Sequence, residues 1–367
     1  MALPMDTTTF LTFYRTTMLG YSKNFQSYVL QLMSRQEHVS FDSQVRLAES
    51  PSIIYFEKEK AIAETSVDLK FSGFYEQLEF FKLFKYSVPF FYELPSEKTL
   101  VSSLSEVPCV PFTRASFTPN YLLATSIDEV SPLYLEDESG VYVKFTLQKH
   151  FFKPDDGEAV DYRFPVVIYF NESSHVLEIR YDSPRRDPNF SKGGNERLVL
   201  DCIKWLKECL GIKLFTCEHT NLISTIKNNP DGDTKIYKQM MELKSGGSAE
   251  LTASADRDYV LPFTGELREL IFENDELFNK APEIRELLLQ YLEEKEVTAN
   301  YPYVYVKRVK PVETNSYIVK VTFDFIDSKY TLLQHITGEC KDLGKERMND
   351  AIKYLCESGS FTQGAEI

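Results

Sequence analysis

The hydrophobic pattern between residues 141 and 210 predicts three strands followed by a helix. Two β-rich runs, 164–170 and 176–181, flank the polar turn 171–174 and predict a hairpin. A period of two, typical of a half-buried strand, opens the segment at Val141, Val143, Phe145 and Leu147. A helical period of 3.6 residues closes it at Val199, Cys202, Ile203, Leu206 and Leu210.

A shorter version of this order recurs between residues 304 and 357. The strand pattern begins again at Val304, and residues 317–325 and 330–336 predict another hairpin before a final helix. The two helices align without a gap, residues 201–208 against 350–357, with Asp, Ile, Lys, Leu and Glu at matched positions. This similarity predicts a duplicated β-β-β-α unit. The alternative is coincidence, because amphipathic helices draw on a small set of residues.

The rest of the chain alternates between helical and extended patterns. Several prolines punctuate a long irregular stretch between residues 89 and 132 and predict wrapping loops with short strands, or a domain boundary. Residues 74–84 are aromatic-rich and are compatible with either a helix or a strand. Strands are predicted at 53–56, 61–71 and 249–253, and helices within 1–37 and at 220–227, 234–243, 266–278 and 282–296.

These elements predict an α+β protein with mostly antiparallel sheets covered by helices. The chain exceeds a typical single domain at 367 residues, so several structural units are expected. The predicted division has five segments. They are a mixed N-terminal region (1–132), a first β-β-β-α unit (133–217), a helical acidic connecting segment (218–299), a second β-β-β-α unit (300–358) and a flexible tail (359–367).

Composition narrows the classes of partner. The formal net charge of −14 argues against global electrostatic attraction to nucleic acid or an anionic membrane. No run approaches the roughly 20 apolar residues that a membrane helix needs, and no signal peptide is visible at Met1. Six cysteines without a compact framework fit free thiols. We therefore expect a cytoplasmic protein that does not bind membranes.

The charge is concentrated in the predicted helices of residues 264–296. This segment holds ten acidic residues against four basic ones, which gives a local charge of −6. A solvated helix face is the ordinary explanation for such a pattern. The alternative is an acidic surface that binds a basic partner.

The loop before the first predicted helix is the strongest candidate for a ligand site. Residues 180–213 carry eight basic and five acidic residues, so this stretch is at +3 within an acidic chain. Paired glycines allow close backbone approach, and a helix N-terminus attracts anions. The predicted phosphate-binding or nucleic-acid-binding residues are Arg185, Arg186, Lys192, Gly193, Gly194, Asn195 and Arg197. An ordinary surface loop with a glycine helix entry is the alternative.

Three other patterns could carry chemistry. Asp161 with Glu178 and Arg180 could hold a metal ion in a nuclease, or the last two could be the solvent face of a strand. Cys202, Cys209, Cys217 and His219 match no compact zinc module, and buried structural thiols explain the cysteines better. Tyr301, Tyr303 and Tyr305 interleave with Lys307, Arg308 and Lys310, a pattern that either stacks on nucleic-acid bases or forms one edge of an aromatic sheet face.

The leading functional hypothesis is a non-enzymatic interaction or sensor subunit of a larger assembly. It rests on the lack of a complete catalytic motif and on abundant Tyr and Phe, which suit protein contacts. A protein partner or self-association is expected, with nucleic acid as a further partner through the 183–197 loop, and no cofactor is predicted. The alternative is a metal-dependent nuclease or other phosphodiester-acting enzyme. A role in antiviral defence is a third hypothesis that no residue supports.

Overall fold

The fold was obtained as a computed structural model, and it is α+β with mostly antiparallel strands, as the sequence predicts. The structure describes residues 7–36, 39–40, 53–54, 58–95, 98–117, 119, 124–152, 157–183, 194–219, 221–227, 233–242, 247–252, 264–309, 316–327, 329–336 and 344–367.

The α-helices, in chain order, are α1 Thr7–Leu19, α2 Lys23–Gln36, α3 Lys58–Thr65, α4 Ser72–Phe81, α5 Leu100–Glu106, α6 Gly194–Leu210, α7 Leu222–Lys227, α8 Thr264–Glu273, α9 Asp275–Phe278, α10 Pro282–Thr298 and α11 Lys345–Glu357. Short 3-10 helices occupy Leu69–Phe71, Arg114–Ser116 and Ile127–Glu129.

The strands are β1 Val39–Ser40, β2 Ile53–Ile54, β3 Tyr86–Glu93, β4 Val110–Pro111, β5 Leu133–Asp137, β6 Gly140–Phe152, β7 Ala159–Asn171, β8 Val176–Tyr181, β9 Lys213–Glu218, β10 Thr234–Glu242, β11 Ser248–Thr252, β12 Tyr303–Arg308, β13 Tyr317–Phe325, β14 Tyr330–Ile336 and β15 Thr362–Glu366.

The chain divides into two compact units. Unit 1 comprises Met1–Thr216, Thr337–Asn349 and Gly364–Ile367, and unit 2 comprises Cys217–Ile336 and Asp350–Gln363. The division therefore passes through α11. The five-segment division drawn from the sequence stays a prediction.

Unit 1 is built on the strand order β4-β5-β6-β7-β8-β3, antiparallel except for the short β4–β5 pair. The longest pairing joins β6 and β7, from Val141 opposite Phe170 to Phe152 opposite Ala159. All six residues of β8 are buried, so both faces of this strand are covered. On one face α6 packs Trp205 edge-on against Phe145, with ring centroids 4.9 Å apart.

Helix α6 ends at Leu210, and Gly211 follows it. Gly211 has a φ of +65°, in the left-handed region that favours glycine, and its N–H donates to the carbonyl of Lys207 at 3.1 Å. This hydrogen bond satisfies one of the carbonyls left open at the helix end, so the chain can turn directly into β9.

Unit 2 is built on an antiparallel sheet in the order β11-β10-β12-β13-β14. One face of this sheet is apolar and buried, formed by Val304, Val306, Val319, Val321 and Leu333. Residues of α11 lie on this face, since Asp350 and Tyr354 both contact Arg308.

The predicted repeat keeps its element order in the structure. Strands β6, β7 and β8 pair in chain order as an antiparallel set before α6, and β12, β13 and β14 do the same before α11. Ile203 of α6 and Ile352 of α11 are both buried, as the repeat requires. A common origin of the two segments stays a prediction.

Three element predictions are wrong, and the reasons differ. Residues 61–71 form the end of α3 and a 3-10 turn rather than a strand, because Ala61, Ile62 and Thr65 bury one helical face. Residues 234–242 form β10 rather than a helix. Their period of two is interrupted by a bulge between Ile236 and Lys238, which disguises the strand.

The third correction concerns the C-terminus. Residues 359–367, predicted as a flexible tail, contain β15, which pairs with β9, and the N–H of Ile367 donates to the carbonyl of Leu214 at 3.0 Å. Main-chain pairing to a strand edge needs no apolar pattern, so no periodicity of the sequence predicts this strand.

Among the helices that the structure describes, none combines the length and the apolar character needed to cross a bilayer.

Candidate functional site

The predicted anion-binding loop is only partly described. Arg185, Arg186, Lys192 and Gly193 lie outside the described residues, so their convergence on the helix stays a prediction.

The other three predicted ligand residues open helix α6. Because the helix begins at Gly194, Asn195 lies in its first turn rather than at the N-cap position, and Arg197 is exposed. The side-chain oxygen of Asn195 is buried and has no hydrogen-bond partner within the described part of the chain.

A cleft of about 560 Å³ in unit 1 is lined in part by Ser183, the first residue of this loop. Its volume is in the range of small-molecule sites. Charged walls are supplied by Lys82, Lys85, Arg163 and Asp182. Aromatic walls are supplied by Tyr21, Phe25, Tyr162 and Phe164.

The cations of the cleft are held in place by other groups. The Lys82 ammonium contacts the carboxylate of Asp182 and lies over the rings of Tyr21 and Phe84, at 5.0 and 4.2 Å from their centroids. The backbone N–H of Lys85 donates to the same carboxylate at 2.9 Å. Asp182 therefore fixes the link between α4 and β3 at the rim of the cleft.

Behind the cleft lies a buried charge cluster that joins α4 to the sheet. Glu76 and Glu79 project from one face of α4 toward Lys144 of β6 and Arg163 of β7, and all four side chains are at most 3% exposed. The Arg163 guanidinium donates to both carboxylates, at 2.7 and 2.8 Å. The Lys144 ammonium donates to Glu79 at 2.9 Å and also contacts Glu76.

Electrostatics in this cluster are balanced, with two carboxylates facing two cations. Burial by itself raises the pKa of Glu79, but the positive charges of Arg163 and Lys144 outweigh it and lower the pKa to about 2. The Tyr14 hydroxyl donates to Glu76, and burial holds the pKa of Tyr14 well above its usual value. The five groups satisfy one another, which indicates a structural role.

A second buried set surrounds Glu178 and Arg180 on β8. The Arg180 guanidinium donates to Glu178 at 3.0 Å and to the Asn349 side chain at 2.8 Å, and it lies 4.2 Å from the Tyr169 ring centroid. Ser87 donates to Glu178 at 2.7 Å. The expectation that this pair faces solvent is wrong, because a second layer covers that face.

The hypothesised nuclease metal site is not assembled. Asp161 pairs with His150 near the start of β7, whereas Glu178 pairs with Tyr169, eight residues further along β7. At about 3.3 Å per residue, that register separates the two carboxylates by roughly 26 Å along the strand. Arg180, moreover, is already bound to Glu178.

The side chains that could bind a metal ion are dispersed over the part of the chain that the structure describes. No three His, Cys, Asp or Glu side chains there come close enough to share a metal ion. Cys202 and Cys217 are buried free thiols, and Cys209 is an exposed one. His219 stacks on Phe323, with ring centroids 4.0 Å apart.

An exposed apolar surface lies on α8–α10 in unit 2. Six large apolar side chains of this segment leave between 50% and 66% of their surface in solvent: Leu270, Phe272, Leu277, Ile284, Leu287 and Tyr291. The segment buries Ile271 and Leu292 instead. These exposed apolar side chains are concentrated in one helical segment rather than scattered singly over the surface.

A Tyr–Lys face, defined by Tyr303, Tyr305, Lys238 and Lys320, lies on the side of the unit 2 sheet away from α11. Tyr305 pairs with Lys238 of β10 on one side and with Lys320 of β13 on the other. Lys307 shares this face, whereas Arg308 points to the opposite face and pairs with Asp350. Lys310 lies outside the described residues.

The buried charge clusters were not predicted, although the sequence contains a pattern that indicates them. Lys144 and Arg163 each stand between apolar neighbours in a strand, and Glu76 and Glu79 are three residues apart in an aromatic run. Lone charges in apolar runs indicate buried pairing.

Comparison with protein-family models found no match, and comparison with curated protein sequences found no similar protein.

Proposed function

We propose that this protein is a non-enzymatic interaction subunit that binds a basic protein partner through α8–α10. The observation that carries the proposal is the exposed apolar surface of this segment. Burying apolar surface is the main favourable contribution to most protein association.

The spacing of the exposed residues on α10 suits binding in a groove. Ile284, Leu287 and Tyr291 stand at positions i, i+3 and i+7, so they form one stripe along the helix. Leu292 lies off this stripe and is buried. A helix with apolar residues at these spacings fits a hydrophobic groove on a partner.

Charge identifies the kind of partner. The stripe is flanked by acidic residues, and residues 264–296 carry ten acids against four bases. Two copies of this surface would oppose like charges, whereas a basic rim around an apolar groove would complement it. The partner is therefore a different protein with a basic, apolar surface.

A reducing compartment such as the cytoplasm is part of the proposal, because the cysteines that the structure describes are free thiols. A non-enzymatic role is part of it as well. The buried charged groups of unit 1 bind one another, which leaves them without a reacting group to activate.

The test compares two triple variants as bait in extracts of the native cells. Ile284→Ser/Leu287→Ser/Tyr291→Ser removes the α10 stripe. Val110→Ser/Phe152→Ser/Leu200→Ser removes three exposed apolar residues of unit 1 and serves as the matched control. A captured protein is then purified, and its affinity for the wild type and for each variant is measured at several salt concentrations.

We expect the stripe variant to bind at least about 100-fold more weakly, because three central anchors are lost. The control should bind like the wild type, and the wild-type affinity should fall as salt screens the acidic segment. Equal affinity of both variants for the captured partner would contradict the proposal. A wild-type dimer in sedimentation that the stripe variant abolishes would replace it with self-association.

A phosphate-bearing small molecule or nucleic acid at the 183–197 loop is a second candidate. Its support is the cleft that opens at Ser183, where Lys82 and Lys85 stand beside aromatic walls. Arg185→Ala with Arg186→Ala should weaken binding and its salt dependence if the loop contacts phosphates.

A further inference from the structure

We propose that the Tyr–Lys face of unit 2 binds single-stranded nucleic acid, with Tyr303 and Tyr305 as stacking platforms for two successive bases. This site is separate from the partner surface on α10, and either proposal can fail without the other.

The two rings lie next to each other on the central strand β12 in an edge-to-face arrangement, with an interplanar angle of 79°. Tyr303 and Tyr305 are two residues apart, so both project from one face, and their ring centroids are 5.8 Å apart. Side chains at this spacing are separated by about 6.6 Å along a strand. Both tyrosines are half-buried, so part of each ring is accessible to a base from solvent.

Lysines flank the rings from both neighbouring strands. The Lys320 ammonium lies 3.8 Å from the Tyr303 ring centroid and 5.7 Å from that of Tyr305. The Lys238 ammonium lies 5.5 Å from the Tyr305 centroid. Together with Lys307 on the same face, they place three cations around two aromatic platforms.

Glu250 of β11 offsets part of the positive charge of these lysines. It contacts Lys238 at 2.5 Å and accepts a hydrogen bond from the Tyr303 hydroxyl. The register also places Lys235 and Glu242 on this side of the sheet, which therefore carries four cations, with Lys238, Lys307 and Lys320, against two anions, in a chain whose net charge is −14. Positive charge is therefore in local excess on this face, although the net charge of the chain is negative. Such an excess favours a polyanionic ligand on this face.

Aromatic rings alternate with cations on this open sheet face, an arrangement that suits the binding of single-stranded nucleic acid. Every base presents a π-face that stacks on tyrosine without regard to sequence, and lysines follow the backbone phosphates. Lys320 can leave its ring for a phosphate because its four-carbon stem is flexible. A duplex offers no unstacked bases, so it should gain only the weaker charge contacts.

The experiment measures fluorescence anisotropy with the full chain and labelled 12-nucleotide oligo(U) and oligo(dT), and with a duplex of equal length. Tyr303→Leu/Tyr305→Leu removes both rings, and Tyr303→Phe/Tyr305→Phe keeps them. Lys238→Gln/Lys320→Gln removes two cations. Lys204→Gln/Lys353→Gln removes two exposed lysines elsewhere and is the matched control. Circular dichroism confirms that each variant folds.

We expect single strands to bind better than the duplex, and the Leu variant to lose roughly 100-fold, about tenfold per stacked base. The Phe variant should bind like the wild type. The Lys238/Lys320 variant should lower the slope of log affinity against log salt by about 1.4, since each phosphate contact on a single strand contributes about 0.7. The control should change neither quantity.

Four outcomes would overturn the proposal. In the first two, the wild type binds no single-stranded nucleic acid at low salt, or it binds the duplex as tightly as the single strand. The Leu variant binds as well as the Phe variant, so the rings do not stack. Arg185→Ala/Arg186→Ala abolishes binding that the Leu variant retains, which assigns the nucleic acid to the 183–197 loop.

Discussion

At the scale of single residues, unit 1 is organised around charges that the sequence places inside apolar strands. The pattern along β8 correctly separates Leu177 and Ile179 from Glu178 and Arg180, since alternate residues lie on opposite faces. Alternation cannot show whether the polar face is covered. That depends on Ser87 and Asn349, which come from distant parts of the chain.

The cluster of Glu76, Glu79, Lys144 and Arg163 is held by mutual neutralisation. Removing a charge from water costs several kcal/mol, and the attraction between opposite charges offsets this only while every partner is present. Deleting one cation therefore leaves an uncompensated carboxylate in the core.

We predict that Arg163→Met lowers the free energy of unfolding by about 3–5 kcal/mol at pH 7, because Glu76 and Glu79 lose the cation that binds both of them. Urea denaturation measures the change. Arg197→Met, at an exposed position of α6, is the control and should change stability by less than about 0.5 kcal/mol.

The same variant has a predicted pH dependence. The pKa of Glu79 falls from 4.5 to about 2 in the folded protein, so its ionised form stabilises the fold above pH 4.5, and this contribution is lost as the pH falls toward 2. The stability difference between wild type and Arg163→Met should therefore shrink over that window. A difference that is constant from pH 7 to pH 2 would contradict the assigned charge pairing.

At the scale of elements, the sequence predicts strands and helices where one period runs without interruption. Strands β6 to β8 and helices α6, α10 and α11 fall where expected, because each buries one continuous face. The prediction fails at β10, where the bulge after Ile236 shifts the buried positions. There the pairing with β11 and β12 on both edges decides the structure.

The candidate sites also differ in how far the sequence alone predicts them. The acidic segment and the tyrosines of β12 are visible in sequence because their residues are neighbours in the chain. The cleft is not, since Lys82 and Asp182 meet only through folding and are one hundred residues apart. Exposure of Leu287 and Tyr291 was equally hidden, because a helix with two apolar stripes gives no sign of which one is buried.

For α6 we predict that Ile203→Ala lowers the free energy of unfolding by about 2–5 kcal/mol. Ile203 is 7% exposed on the face that packs toward the sheet, so its truncation leaves a cavity. Leu200→Ala is the control on the same helix, because Leu200 is 44% exposed. Equal shifts of the urea midpoint for the two variants would mean that the buried face of α6 is wrongly assigned.

At the scale of the whole molecule, a large negative charge accompanies an exposed apolar surface. The net charge of −14 makes copies of the chain repel one another at neutral pH, and the segment with the exposed apolar surface of α8–α10 is itself acidic. Charge therefore opposes contact between copies through this surface.

This balance predicts association near the isoelectric point. The sequence pI is about 5.0, so repulsion between copies nearly vanishes at pH 5 and the exposed apolar side chains can meet. We expect light scattering at low salt to be small at pH 7 and to rise steeply at pH 5. Ile284→Ser/Leu287→Ser/Tyr291→Ser leaves the charge unchanged and should reduce scattering at pH 5, whereas Val110→Ser/Phe152→Ser/Leu200→Ser should behave like the wild type. If the two variants scatter equally, association does not proceed through α10, and the surface lacks the adhesive character that a partner site requires.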